Sequence, residues 1–126
     1  MVMFAQYGLL LVLSLFLVFH LLVLLKIIPY TIVWGGRIES DKAMYRFVTI
    51  STLMNAFFLF IVAVQSGIFM FEFPKMIMTL ILWAMAVLFA FNTLGNIVSK
   101  NKLEQRLFTP VTVLLTLFSL VLALTN

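Results

Sequence analysis

Residues 76–99 read MIMTLILWAMAVLFAFNTLGNIVS, an apolar stretch that contains no Asp, Glu, Lys or Arg. A bilayer core about 30 Å thick is crossed by roughly 20 apolar residues in an α-helix, at about 1.5 Å per residue. This stretch is therefore long enough to span a membrane. Three further uncharged runs occupy residues 1–25, 47–71 and 107–126, and every Lys and Arg lies between the runs. The sequence predicts four transmembrane helices.

The predicted fold class is an all-α membrane protein, a four-transmembrane-helix antiparallel bundle that forms a single transmembrane domain over residues 1–126. We expect the spans at about residues 3–27, 45–70, 75–98 and 107–125. The composition agrees, because 65% of the residues are hydrophobic and 10% are charged, against about 45–50% and about 25% in soluble domains. The first run is expected to remain as a helix, since no positively charged region precedes it as in a signal peptide.

Basic residues are distributed unevenly among the three connecting segments. The first and third segments lie on the same side of the membrane, because two helices separate them. They hold seven of the basic residues, whereas the second segment holds only Lys75. The seven are Lys26, Arg37, Lys42, Arg46, Lys100, Lys102 and Arg106. Because Lys and Arg near helix ends favour the cytoplasmic side, we expect a multi-pass protein of the cytoplasmic (inner) membrane with both termini outside.

Several classes of function are disfavoured by the residues that the spans and connecting segments contain. The net charge of +4 reflects topology and not nucleic-acid binding, because no basic face with interleaved aromatic residues is present. The sequence has no Cys, which excludes disulfides and thiol chemistry. No carboxylate lies within a span, and no catalytic motif such as HExxH or GxSxG occurs. We therefore expect no enzyme activity, no cofactor and no metal site.

Four polar residues lie within the spans at similar distances from the basic residues that flank them: His20, Asn55, Asn92 and Asn96. Counting along each span places all four in the cytoplasmic half of the bilayer. Asn92 and Asn96 are four residues apart, so they share one face of their helix. These four residues are the candidate ligand-binding site.

Two interpretations of this polar layer stay open. Polar side chains often join transmembrane helices by hydrogen bonds, and His20 is then a neutral imidazole packed between helices. The Thr-rich face of the fourth span, from Thr109 to Ser119, fits the same interpretation. Alternatively, the side chains surround a polar cavity. Unsatisfied amides in hydrocarbon are costly, so they must meet each other, water or a ligand.

Short motifs are spread over most of the chain, and they read Ile28-Pro29-Tyr30, Val33-Trp34-Gly35-Gly36-Arg37, Met44-Tyr45, Asn92-Thr93-Leu94-Gly95-Asn96 and Lys102-Leu103-Glu104. In these motifs the chain resembles a family of small uncharacterised bacterial four-span integral membrane proteins. The resemblance implies an α-helical membrane protein, and it implies no activity and no site residues.

Two kinds of function are consistent with these features. The first is a non-catalytic accessory or interaction protein, whose partners are the lipid bilayer and either further copies of itself or a larger membrane complex. The alternative is an oligomeric small-molecule or ion-binding channel or facilitator with a polar cavity in its cytoplasmic half. The absence of a carboxylate within the spans weighs against ion-coupled transport, so the accessory role is the first expectation.

Overall fold

The computed structural model describes residues 2–28, 40–68, 72–98 and 102–126. They form four α-helices, α1 (Val2–Leu24), α2 (Asp41–Gln65), α3 (Lys75–Ile97) and α4 (Lys102–Thr125). Each helix is long and apolar enough to cross a membrane, and the described ranges contain no strand. The predicted all-α fold with four spans is confirmed.

Hydrogen bonds between helix ends show that neighbouring helices are antiparallel. The side chain of Gln6, near the start of α1, donates to that of Gln65 at the end of α2 over 2.7 Å. The side chain of Asn126, just after α4, donates to the hydroxyl of Thr79 near the start of α3 over 2.8 Å. Consecutive helices therefore run in opposite directions, as the connecting segments require.

The helices follow the order α2, α1, α4, α3 around the bundle. The α3–α4 contact is the most extensive, and the α1–α2 and α1–α4 contacts come next. Helices α2 and α3 approach each other closely at few positions, although they are consecutive in the chain. The bundle thus consists of two helix pairs, α1–α2 and α3–α4, that meet along a seam between α1 and α4.

The main hydrophobic core occupies one half of the bundle. We call the end where α1 and α3 finish and α2 and α4 begin the basic end, because Lys42, Arg46, Lys102 and Arg106 lie there; the other is the opposite end. The core lies towards the opposite end, and its fully buried members include Leu9, Leu13, Ile61, Val62, Leu82, Met85, Leu115 and Leu122. At the basic end a smaller cluster of Val23, Met44 and Val48 joins α1 and α2.

The turn after α1 holds the first helix pair together at the basic end. Lys26 has a positive φ of 62°, and the amide of Ile27 donates back to the carbonyl of Leu22 over 3.0 Å. This geometry is the Schellman motif, in which glycine is the usual residue, as Gly67 with φ 81° is after α2. The side chain of Lys26 also forms an ion pair with Asp41 at the start of α2.

Local side-chain interactions mark the starts of α2 and α4. Ser40 is the N-cap of α2, and its hydroxyl accepts a hydrogen bond from the amide of Ala43 over 3.1 Å. Helix α4 begins at Lys102, and Pro110 lies inside the helix. Good helix formers precede the proline, and the side chain of Gln105 donates to the carbonyl of Ile97 in α3, which extends the helix beyond the predicted span.

Candidate functional site

A cavity of about 480 Å³ lies between the helices in the half of the bundle nearer the basic end. It forms where α2 and α3 separate, beyond the end of the main hydrophobic core. All four helices contribute to its wall. Its polar lining consists of His20, Ser51, Asn55, Asn92, Asn96 and Thr112. Its aromatic lining consists of Phe16, Phe19, Phe58, Phe89, Phe91 and Phe108.

All four residues of the candidate site line this one cavity. His20 comes from α1, Asn55 from α2, and Asn92 and Asn96 from α3. The counting of residues from the flanking charges therefore identified side chains that the fold brings together. Ligand binding by these residues stays a prediction.

His20 lines the cavity, and one of its two ring nitrogens bonds to the backbone of its own helix. Its Nδ1 lies 2.7 Å from the carbonyl oxygen of Phe16, one turn earlier in α1. A carbonyl oxygen only accepts hydrogen bonds, so Nδ1 carries the proton and donates it. In the neutral ring Nε2 is then an acceptor, and it has no hydrogen-bond partner among the described residues. The edge-to-face rings of Phe16 and Phe19 hold the imidazole in place, with centroids 6.0 Å and 5.8 Å away.

Asn55 links the wall of the cavity to the α1–α2 contact. Its side chain is 6% exposed, and its Nδ2 donates to the backbone carbonyl of Leu13 over 2.9 Å. That carbonyl lies in the middle of α1 and has a second lone pair available for this bond. Asn55 therefore has a structural role, and one face of its amide still borders the cavity.

Asn96 and Thr112 form the corresponding link between α3 and α4. The Nδ2 of Asn96 donates to the hydroxyl oxygen of Thr112 over 3.2 Å, and that hydroxyl donates in turn to the carbonyl of Phe108 over 2.9 Å. Both side chains are buried. The polar chain joins the two helices next to the cavity.

Asn92 differs from the other two asparagines, because its side chain is exposed and makes no hydrogen bond to any described residue. It lies one turn before Asn96 on the same face of α3 and lines the rim of the cavity. Its amide can both donate and accept. Asn92, the Nε2 of His20 and the side-chain oxygens of Asn55 and Asn96 thus have no hydrogen-bond partner among the described residues.

Sequence reasoning did not identify the aromatic wall. The ring of Phe108 packs edge-to-face on the rings of Phe16 and Phe19, at centroid distances of 5.8 Å and 5.0 Å. These three rings close the side of the cavity between α1 and α4. Phe58 and Phe89 meet across α2 and α3 at 5.7 Å and form the floor over the main core. A phenylalanine that faces lipid has the same hydrophobicity as one that faces a cavity. The only signal available was the proximity of Phe16 and Phe19 to His20 in sequence.

The cavity opens sideways, between α2 and α3. Its rim contains Ile50, Met54 and Phe91, which are 49%, 40% and 65% exposed. These side chains are apolar and lie on helix surfaces that would face hydrocarbon in a bilayer. We call this gap the lateral opening.

Two further features define what the cavity could accommodate. None of the described residues that line it is Asp, Glu, Lys or Arg. A side chain added at Gly95, which also lines it, would begin in open space, because an added Cβ would meet no atom within 4 Å. The cavity is therefore uncharged and has free volume beside α3.

Comparisons of the chain with models of protein families, with curated proteins and with solved structures found no match.

Proposed function

We propose that this protein is a non-catalytic membrane protein that binds an uncharged small molecule in the cavity near its basic end. The observation that supports this proposal is the convergence of His20, Asn55, Asn92 and Asn96 on one cavity of about 480 Å³. Pockets that bind small molecules typically have volumes of about 300–1,000 Å³ and combine an apolar lining with a few polar groups.

Helix association alone is a weaker explanation of the polar groups. Asn55 and Asn96 do join neighbouring helices, as association requires. Asn92 and the Nε2 of His20 bond to no described residue, although an unsatisfied polar group in an apolar environment is costly. A ligand or water in the cavity would satisfy both groups.

We further propose the orientation and location that the charges favour. The basic end lies in the cytoplasm, and both termini lie outside, in the inner membrane of a bacterial cell. Lys42, Arg46, Lys102 and Arg106 lie at one end of the bundle, where Lys26 lies in the turn after α1, whereas Lys75 alone begins α3 at the opposite end, and the positive-inside rule favours this assignment. The bacterial origin rests on the family resemblance of the sequence motifs.

A role as an accessory protein is the second candidate, and one observation favours it. Helices α2 and α3 approach each other closely at few positions, so a transmembrane helix from a partner could pack into the lateral opening. A channel through one copy is disfavoured, because the main hydrophobic core fills the bundle between the cavity and the opposite end. A facilitator would therefore need a pathway between several copies.

Filling the cavity from Gly95 tests the proposal. A side chain at Gly95 begins in open space, because an added Cβ meets no atom within 4 Å, so we expect the Gly95→Leu variant to fold and to lose the bound molecule. Native mass spectrometry of gently purified protein measures retained small molecules directly. We expect the wild-type protein to show an added mass that Gly95→Leu lacks.

The matched control is Ala90→Leu, which adds a similar side chain to an exposed position of α3 that does not line the cavity. It should retain the same mass as the wild-type protein. An equal added mass in all three proteins would contradict binding in the cavity. The accessory role would be favoured if the wild-type protein retained no small molecule but co-purified with a protein partner, and if Gly95→Leu lost that partner.

A further inference from the structure

We infer that the cavity binds an uncharged lipid with a hydroxyl headgroup, which enters from the bilayer through the lateral opening. This inference rests on the proposed function, since it assumes that the cavity is a binding site. It specifies the route, the charge and the hydrogen-bonding chemistry of the ligand. Each of these three properties follows from a different set of residues.

The route follows from the position of the rim. Ile50 and Met54 of α2 and Phe91 of α3 are exposed on the outer surface of the bundle and also line the cavity. In a bilayer this surface contacts acyl chains, so the gap connects the cavity with hydrocarbon. A hydrophobic molecule would enter along this route without losing its apolar surroundings.

The charge of the ligand follows from the lining. No described lining residue is acidic or basic, and the polar groups present are amides, hydroxyls and one imidazole. A carboxylate, a phosphate or an ammonium group would lose its hydration here without gaining an opposite charge, which is strongly unfavourable. The headgroup is therefore neutral.

The need for a donor follows from the tautomer of His20. Because Nδ1 donates to the carbonyl of Phe16, the neutral ring offers only an acceptor at Nε2. A group that satisfies Nε2 must itself donate a hydrogen bond. A hydroxyl can do so, and its oxygen can also accept a hydrogen bond from the unpaired amide of Asn92. A ketone, an ester or an ether offers acceptors only.

The hydrocarbon part of the ligand matches the remaining wall. Phe16, Phe19 and Phe108 cover the α1–α4 side, and Phe58 and Phe89 form the floor. These rings provide contact area but no strong hydrogen-bonding group. A single hydrocarbon chain can pack among them and leave through the lateral opening, with the hydroxyl near His20.

A matched pair of probes tests this inference. Oleyl alcohol and oleyl methyl ether have the same chain, and in the ether a methyl group replaces the hydroxyl hydrogen and so removes the donor. We expect the purified wild-type protein to retain the alcohol at least about tenfold more tightly in native mass spectrometry titrations, because the ether leaves the Nε2 acceptor unsatisfied. Oleate, which has the same chain with a charged headgroup, should bind more weakly than the alcohol.

Two variants assign the effect to the cavity and to His20. Gly95→Leu should weaken binding of both uncharged probes, and Ala90→Leu should leave both unchanged. His20→Phe keeps an aromatic ring but removes the acceptor, so we expect it to bind the two probes equally. A preference for the alcohol that persists in His20→Phe would show that His20 does not recognise the hydroxyl.

The outcomes separate this inference from the proposed function. Equal binding of alcohol and ether by the wild-type protein, with both lost in Gly95→Leu, would overturn the hydroxyl preference and leave the binding cavity intact. If neither probe binds more tightly to the wild type than to Gly95→Leu, the lipid inference is overturned. If the small molecule that the wild-type protein retains on purification is also retained by Gly95→Leu, the proposed function fails as well. The wild-type comparison of the two probes decides the hydroxyl question even if His20→Phe does not fold.

Discussion

At the scale of single residues, Gly8 allows the ring of Phe118 to pack directly on the backbone of α1. A Cβ added at Gly8 would lie 2.5 Å from Cε2 of Phe118, and that ring also packs edge-to-face on Phe4 at 5.6 Å. We expect Gly8→Ala to lower the free energy of unfolding by about 1–3 kcal/mol, since extra atoms in a packed contact force neighbours to move. Denaturant unfolding in micelles measures the change.

The control for this prediction is Gly95→Ala, because both glycines lie within helices and both variants gain the same helix propensity. The added methyl at Gly95 meets open space, so the stability of that variant should not fall. Equal stability of the two variants would contradict the close approach of Phe118 to Gly8.

The sequence could predict how deep the site residues lie within their spans. The depth of His20, Asn55 and Asn96 in their spans follows from the number of residues to the nearest basic group, because helix rise is constant. The hydrogen-bond partners could not be predicted in the same way. Leu13 provides a backbone carbonyl to Asn55, and nothing in the identity of a leucine indicates that its carbonyl will be used.

At the scale of helices, the Asn96–Thr112 hydrogen bond joins α3 to α4. A double-mutant cycle with Asn96→Leu and Thr112→Val measures its contribution, with unfolding of ligand-free protein as the readout. We expect a coupling energy of about 0.6 kcal/mol and no more than about 1.7 kcal/mol, the range found for polar contacts between transmembrane helices. A coupling energy indistinguishable from zero would show that the bond does not stabilise the pair.

The arrangement of the helices was less predictable than their number. Helices α2 and α3 are consecutive and antiparallel, yet α2 packs mainly against α1 and α3 mainly against α4. Apolar side chains that face lipid are as hydrophobic as those that face a neighbouring helix. The separation that creates the cavity therefore leaves no pattern in the sequence.

At the scale of the whole molecule, the orientation in the membrane can be tested with single cysteines, because the natural chain has none. We expect Lys102→Cys, at the basic end, to be protected from a membrane-impermeant thiol reagent in intact cells. Glu72→Cys, in the exposed turn at the opposite end, should react. Labelling of Lys102→Cys but not of Glu72→Cys would reverse the proposed topology.

The weak contact between α2 and α3 also has a consequence for assembly. Each helix pair is a hairpin whose contacts are closer in sequence than those of the α1–α4 seam, and contacts between nearer residues form at a lower entropic cost. The α1–α4 seam joins distant parts of the chain, so we expect the docking of the two preformed hairpins to be the late step of folding. The cavity has walls from both hairpins, and it therefore comes into existence only at that step. A molecule bound there would hold the two hairpins together and so act as a folding ligand for the protein.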